Sequence, residues 1–265
     1  MPAPDLDGLC DDLAAEQADL DALVAPLAPA QWDSPTPAEG WAIRDQIHHL
    51  GWFDANGARA IRDPEAFTAK ATQMLAAFET FESELAAEAR AMDASTMLEW
   101  WRAQRGDVLD ALRTSDPSLR VPWYGPPMSL TSFATARLME TWAHGQDVAD
   151  ALGAKREPTD RLRHIAHIGV RTRGFAYSLH NKPSPDTDVR VELDAPDGST
   201  WTWGDAQAAD RVTGPALDFC LVVTQRRHID DTALTTDGPL AAEWMAIAQA
   251  FAGSAGPGRA PGQFA

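Results

Sequence analysis

The sequence contains only two cysteines in 265 residues, Cys10 and Cys220, and they lie far apart. Two distant cysteines exclude a disulfide framework and a Cys-x-x-Cys motif. The chain has no run of about 18 apolar residues that could cross a membrane as a helix. Its first residues, MPAPDLDGLCDDL, lack the basic and apolar segments of a secretory leader. We therefore expect a cytoplasmic protein in a reducing compartment.

Several enzyme motifs are also missing from the sequence. There is no glycine-rich phosphate loop, no G-x-S-x-G nucleophile elbow and no Cys/His zinc knuckle. The chain is thus not expected to be a nucleotide enzyme, a serine hydrolase or a zinc finger.

Positive charge is scarce, with 22 Lys and Arg residues against 39 Asp and Glu residues and a formal net charge of −17 at pH 7. Such a field repels phosphate backbones and anionic lipid headgroups, so we expect no nucleic-acid partner and no membrane partner. It also repels an anionic small molecule, and an acidic substrate would need a local cationic anchor. Hydrophobic residues make up 45% of the chain, which is enough for a full core.

Apolar residues at helical spacing dominate the first two thirds of the chain. They predict helices over residues 5–28, 41–62, 65–92, 95–113, 131–152 and 159–180. Gly153 is a predicted helix C-cap, and the proline-rich segment 115–130 is a predicted loop.

The pattern changes after the linker NKPSPDTD. Two alternating segments, VRVELDAP and GSTWTWG, flank Pro-Asp-Gly, which is typical of a hairpin, and short strands and helices follow. The sequence therefore predicts an α+β protein. We expect an all-helical domain over residues 1–182 and a small α+β domain over residues 183–265 with a frayed Gly/Pro-rich tail.

Two segments place metal-ligating side chains on helices. In METWAHGQD, Glu140 and His144 are four residues apart and share one helix face, and Asp147 follows close to the same stripe. In IRDQIHHLGWFD, apolar neighbours indicate that His48 or His49 faces the bundle interior.

Two histidines and one carboxylate suit Zn²⁺, Fe²⁺, Ni²⁺ or Mn²⁺ and leave coordination positions open for a water or a substrate atom. Asp147 can serve as a further ligand or as an acceptor that orients the His144 imidazole. The spacing alone also fits an ordinary exposed Glu–His pair and a core histidine.

These two segments together resemble the DinB-like, mycothiol-dependent maleylpyruvate isomerase family. W-A-I-R-D-Q-I-H-H-L is similar to the first family signature, in which the ligand histidine directly precedes the leucine, and this selects His49 over His48. E-T-W-A-H-G-Q-D is similar to the second, and its ligands fall on Glu140 and His144. The resemblance implies a four-helix bundle that holds a divalent metal, with Zn²⁺ as the first choice.

The C-terminal part is similar to the small sterol-carrier-like α+β domain of the same family. V-T-G-P-A-L-D-F-C-L-V-V-T-Q-R carries a glycine before a helix that ends in an arginine, matched by Gly214 and Arg226. In these isomerases such an arginine binds an acidic ligand, so Arg226 is the implied cationic anchor. Arg227 and His228 leave the register open by one residue, and a basic helix end that complements the helix dipole is the alternative.

Nearly the whole chain resembles an actinobacterial metal-binding branch whose members carry a wyosine-base-formation domain. The implied activity is that of an isomerase or S-transferase. A low-molecular-weight thiol such as mycothiol, made more acidic by the metal, adds to a small acidic or electrophilic substrate. Asp45 lies one turn before His49 and either fixes the imidazole tautomer or is a charge at the helix N-terminus.

Two other functions remain open from the sequence. The same metal can activate water in a hydrolase, with Asp147 or a nearby carboxylate as the base. The site can also belong to a non-catalytic metal-binding module linked to stress. A monomer and a homodimer are both compatible with the sequence.

Overall fold

The computed structural model describes residues 5–76 and 78–264 and divides the chain into two compact units. The first unit ends at Arg156 and the second begins at Glu157. Within the described residues, no helix has the length and apolar character needed to cross a bilayer.

The first unit is helical. Its helices are α1 (Leu6–Val24), α2 (Ile43–Arg62), α3 (Pro64–Ala76), α4 (Phe78–Ala91), α5 (Ala94–Thr114) and α6 (Leu130–Leu152). Helix α2 packs against α5 and α6, and α1 packs against the same two helices, so these four form the expected bundle. Two short antiparallel strands, β1 (Arg120–Val121) and β2 (Met128–Ser129), lie in the segment predicted to be a loop.

Helix α2 shows why this sequence forms the bundle. Ile43, Ile47 and Leu50 recur at spacings of four and three residues and are fully buried. A β-carbon on Gly51 would lie 2.5 Å from the Trp100 ring of α5, and one on Gly57 would lie 2.6 Å from the Phe133 ring of α6. The two glycines therefore let both partner helices approach α2 closely, and the approach of α6 at Gly57 brings the stretch with Glu140 and His144 near the stretch with His49.

The second unit combines helices with a four-stranded sheet. Its elements are α7 (Leu162–Arg171), α8 (Arg173–Leu179), β3 (Val189–Asp194), β4 (Thr200–Trp203), β5 (Asp210–Pro215), α9 (Ala216–Val223), β6 (Thr235–Asp237) and α10 (Pro239–Ile247). The strand order is β4-β3-β5-β6, with β3 and β5 parallel and the other pairs antiparallel. The predicted α+β class and the β3–β4 hairpin are confirmed.

The boundary between the units falls earlier than the predicted division after residue 182. Helix α7 packs on α9, where Gly169 lies against Val223 and the Cys220 thiol donates to the Leu162 carbonyl at 3.4 Å. The residues before the linker therefore belong to the second unit. The tail predicted to be frayed also has contacts, since the Gly262 N–H donates to the Asp231 carboxylate at 2.7 Å.

Two predicted helices are each divided in the structure. The helix predicted over residues 65–92 corresponds to α3 and α4, and residue 77 between them lies outside the described residues. The helix predicted over 159–180 is interrupted at Thr172, whose hydroxyl donates to the Ile168 and Gly169 carbonyls.

Candidate metal centre

His49, Glu140 and His144 lie together in the first unit. One potential ligand atom from each side chain lies within 4.8 Å of the other two. Helix α2 supplies His49, and adjacent turns of α6 supply Glu140 and His144. Nε2 of His144 lies 3.3 Å from Oε2 of Glu140, and the two imidazole centroids are 4.5 Å apart.

The donor set fits a divalent transition metal. Two imidazole nitrogens and a carboxylate oxygen are the ligands that Zn²⁺ and its neighbours take, and three protein ligands leave a further position available. His144 is buried, whereas His49 and Glu140 are half-buried. A small ligand can therefore reach this side of the bundle without unfolding it.

A chain of three hydrogen bonds orients His144. The Thr36 hydroxyl donates to the Trp41 carbonyl at 2.9 Å, so it accepts the Gln46 amide N–H at 2.9 Å. This arrangement turns Oε1 of Gln46 toward Nδ1 of His144, 2.5 Å away. Because that oxygen only accepts, Nδ1 donates to it, and Nε2 is the nitrogen that could bind a metal.

Aromatic rings pack against the two imidazoles. The Trp41 ring stacks on His144 at 5.9 Å between centroids and lies 5.2 Å from His49. Phe53 contacts the other ligand from α2, with its centroid 4.5 Å from that of His49. This apolar packing limits water around the ligands and restricts how far the rings can rotate.

Comparison with known proteins identifies the family. Residues 13–149 match the mycothiol maleylpyruvate isomerase N-terminal domain family. The chain belongs to this family. Residues 185–237 match a second family, named for wyosine base formation.

Two relatives and two solved structures match nearly the whole chain. Two uncharacterized proteins of Mycobacterium tuberculosis, from strains CDC 1551 and H37Rv, are 48% identical over 248 residues, which covers 94% of this chain and 96% of theirs. The crystal structures of a mycothiol-dependent maleylpyruvate isomerase and its histidine-to-alanine mutant match with a TM-score of 0.60 at 14% identity. Each match covers 90% of this chain and 96% of the solved chain, and shows a common fold.

The histidine next to His49 faces a different environment. His48 is 1% exposed and stacks on Trp100, with ring centroids 5.0 Å apart. Burial lowers the pKa of His48, and the Glu88 carboxylate, 3.6 Å from its Nε2, opposes that shift. His48 is thus a core residue, and the neighbour selected by the family signature lies in the cluster.

Asp45 and Asp147 occupy different positions from the ligand cluster. Oδ2 of Asp45 accepts the Ala42 N–H at 2.7 Å and so caps the first turn of α2. Of the two roles that the sequence allowed for Asp45, this contact fits the charge at the helix N-terminus. Asp147 is buried on α6, and the group of ligand atoms within 4.8 Å of one another does not include it.

Arg226 and Arg227 lie at the end of α9 in the second unit. Arg226 donates to the carbonyl of Thr224, the C-cap residue of α9, at 2.7 Å, and its guanidinium lies 5.9 Å from the Phe251 ring centroid. Arg227 donates to the Arg226 carbonyl and lies 4.1 Å from the Phe264 ring centroid. The Arg226–Thr224 bond is the contact expected of a cation that complements a helix C-terminus.

The sequence reasoning missed Gln46 as the partner of His144. Gln46 precedes His49 by three residues and so lies near its face of α2, but this spacing does not identify a partner on α6. The sequence instead indicated Asp45 and Asp147 as possible partners of the imidazoles, because carboxylates are common partners of metal-ligating histidines.

Proposed function

We propose that this protein is a divalent-metal-dependent enzyme that uses a low-molecular-weight thiol, such as mycothiol, to transform a small electrophilic substrate. The reaction class is isomerisation or S-transfer. The observation that carries the proposal is the convergence of His49, Glu140 and His144, each with a ligand atom within 4.8 Å of the others. Family membership supports the thiol and the isomerase class, because the solved neighbour is a mycothiol-dependent maleylpyruvate isomerase.

The roles of the residues follow from their positions. His49, Glu140 and His144 would hold the metal, Gln46 keeps the proton on Nδ1 of His144, and Trp41 limits water beside the ligands. A divalent ion in such a site lowers the pKa of a bound thiol and so supplies a thiolate at neutral pH.

The protein's own cysteines do not provide this thiolate. Burial raises the pKa of the Cys10 thiol, and it raises the pKa of the Cys220 thiol well above its usual value. Both side chains have no exposed surface. Buried thiols in such surroundings are unreactive, which favours an external thiol as the co-substrate.

Metal analysis of the purified protein tests the ligand set. We expect about one divalent ion per chain. His49→Gln should lose it, whereas His48→Gln, a change of the adjacent core histidine, should keep it. The proposal would be overturned if the wild-type protein bound none of the four ions Zn²⁺, Fe²⁺, Ni²⁺ and Mn²⁺.

Thiol consumption tests the reaction. The metal-loaded protein is incubated with mycothiol and either unsaturated acids or epoxides, and free thiol and product are followed. Thiol-dependent turnover that His49→Gln abolishes is expected. Cleavage of esters or amides without any thiol would instead show a hydrolase, and inertness in both assays would favour the non-catalytic module.

We propose that Arg226 binds a carboxylate of the substrate. Arg226→Met should raise KM for an acidic substrate and leave the metal content unchanged, because a guanidinium binds a carboxylate in a bidentate manner. Arg227→Met is the matched control, since both arginines follow α9. An effect of the Arg227 change alone would move the anchor by one residue.

A further inference from the structure

A buried ion pair joins the two helices that carry the ligand cluster. Nε of Arg137 on α6 lies 2.9 Å from Oδ1 of Asp54 on α2. The two residues are 3% and 1% exposed, so the pair has almost no access to solvent. The Nη2 group of Arg137 also donates to the Leu50 carbonyl at 3.2 Å. One guanidinium therefore binds both ends of a single turn of α2.

This turn lies beside the ligands on both helices. Arg137 precedes Glu140 by three residues and His144 by seven, so all three follow one face of α6. On α2, the Leu50 carbonyl belongs to the residue directly after His49. The contact between Arg137 and α2 is thus about one helical turn from a ligand on each helix.

A buried ion pair is weak evidence for a contribution to stability. Removing two charges from water is costly, and well-packed apolar residues of similar volume often stabilise a protein as much or more. The other carboxylate oxygen of Asp54 is buried without a hydrogen-bond partner among the described residues, which adds to the cost. Helices α2 and α6 also have apolar packing of their own, with Phe133 against Gly57.

An ion pair does supply register, which apolar packing defines less strictly. Moving α6 along α2 by one residue, about 1.5 Å, would separate the guanidinium from the carboxylate and leave two buried charges unpaired. A metal site tolerates deviations of only about 0.2 Å in its ligand distances. The pair therefore opposes the helix displacement that would disturb the site most.

We propose that Asp54 and Arg137 are positioning residues, which fix the register of α2 against α6 and thereby the separation of His49 from Glu140 and His144. This inference rests on the proposed metal function. It assigns the pair no contact with metal or substrate.

The test replaces the pair by apolar residues of similar size in the full chain, as Asp54→Leu/Arg137→Met. Zn²⁺ affinity is measured by competition with a chromophoric chelator, the ligand geometry by the visible absorption of bound Co²⁺, and the fold by thermal unfolding. We expect a folded protein whose Zn²⁺ affinity falls about tenfold or more and whose Co²⁺ spectrum changes. The control is Asp11→Leu/Arg113→Met, an ion pair between α1 and α5, which carry no ligand. Its affinity should stay within about twofold of wild type.

Arg137→Lys is a second variant in case the double replacement does not fold. It keeps the charge opposite Asp54 but loses the simultaneous hydrogen bond to the Leu50 carbonyl, so Zn²⁺ affinity should fall between the wild type and the double variant. Unchanged Zn²⁺ affinity and Co²⁺ spectrum in a folded variant of either kind would overturn the positioning role alone. A wild-type protein that binds neither ion would overturn the metal proposal together with it.

Discussion

His144 is oriented by an uncharged partner, the amide of Gln46, which is completely buried. A carboxylate in this place would add a second negative charge beside Glu140 and make the imidazole more basic. The amide sets the tautomer without adding charge. With one carboxylate as the only anionic ligand, a divalent ion in the proposed site would keep a net positive charge, as the proposed thiolate ligand requires.

Gln46→Met should weaken Zn²⁺ binding by about 10- to 100-fold, as loss of a hydrogen-bond partner of a metal-ligating histidine typically does. Methionine has a similar volume, but it lacks the amide oxygen that accepts the hydrogen bond from Nδ1 of His144. Gln146→Met is the control, because Gln146 lies two residues from His144 but donates to Asp150 at 2.8 Å. Chelator competition measures both affinities, and equal losses in the two variants would contradict the role of Gln46.

The three residues of the candidate cluster could be proposed from the sequence, but the partner of His144 could not. Glu140 and His144 share a helix face by spacing alone, and the family signature selected His49. The Gln46–His144 bond joins residues 98 positions apart and depends on the distance between α2 and α6. That distance depends on tertiary packing such as the contact of Gly57 with Phe133, which helical periodicity does not describe.

At the scale of an element, Asp93 is the N-cap of helix α5. Its carboxylate accepts the Thr96 N–H at 2.8 Å and the hydroxyls of Ser95 and Thr96 at 2.7 and 3.0 Å. These bonds, the backbone one foremost, lower the pKa of Asp93 to about 2. They stabilise the charged form, as expected for an N-cap beside the positive end of a helix dipole.

Asp93→Ala should lower the melting temperature at neutral pH, because the first turn of α5 loses its cap. A lowered pKa means that the charge contributes stability above the unfolded value of 3.8 and loses it as the pH falls toward 2. The difference in melting temperature between the wild type and Asp93→Asn, which has an uncharged cap, should therefore shrink below about pH 4. Circular dichroism over the pH range in which all three proteins are folded measures this, and a pH-independent difference would contradict it.

Most element types were predictable because each leaves a local pattern. The apolar spacing of α2 and the left-handed C-cap at Gly153, with φ of 61°, are encoded within a few residues. The interruption at Thr172 was not visible in the apolar periodicity of residues 159–180. Strands β1 and β2 are two residues each, too short for an alternating pattern to reveal.

At the scale of the whole molecule, all three candidate ligands belong to the first unit, and the arginine pair belongs to the second. The predicted boundary after residue 182 followed the composition, since the Pro-rich linker was the clearest break in the sequence. Composition does not reveal that α7 buries Leu162 and Ile165 and packs on α9. A helix can precede a linker and still belong to the domain that follows it.

Truncation distinguishes the two boundaries. A fragment of residues 1–156 should unfold cooperatively and bind Zn²⁺ with nearly the affinity of the full chain, because it keeps both ligand helices and the Asp54–Arg137 pair. A fragment of residues 1–182 should bind Zn²⁺ equally well. It should self-associate at a lower protein concentration than the shorter fragment, because it exposes the apolar face of α7 in the absence of α9. Light scattering and thermal unfolding compare the two. If instead the longer fragment is monomeric and more stable, α7 belongs with the bundle, and the boundary after residue 182 is the correct one.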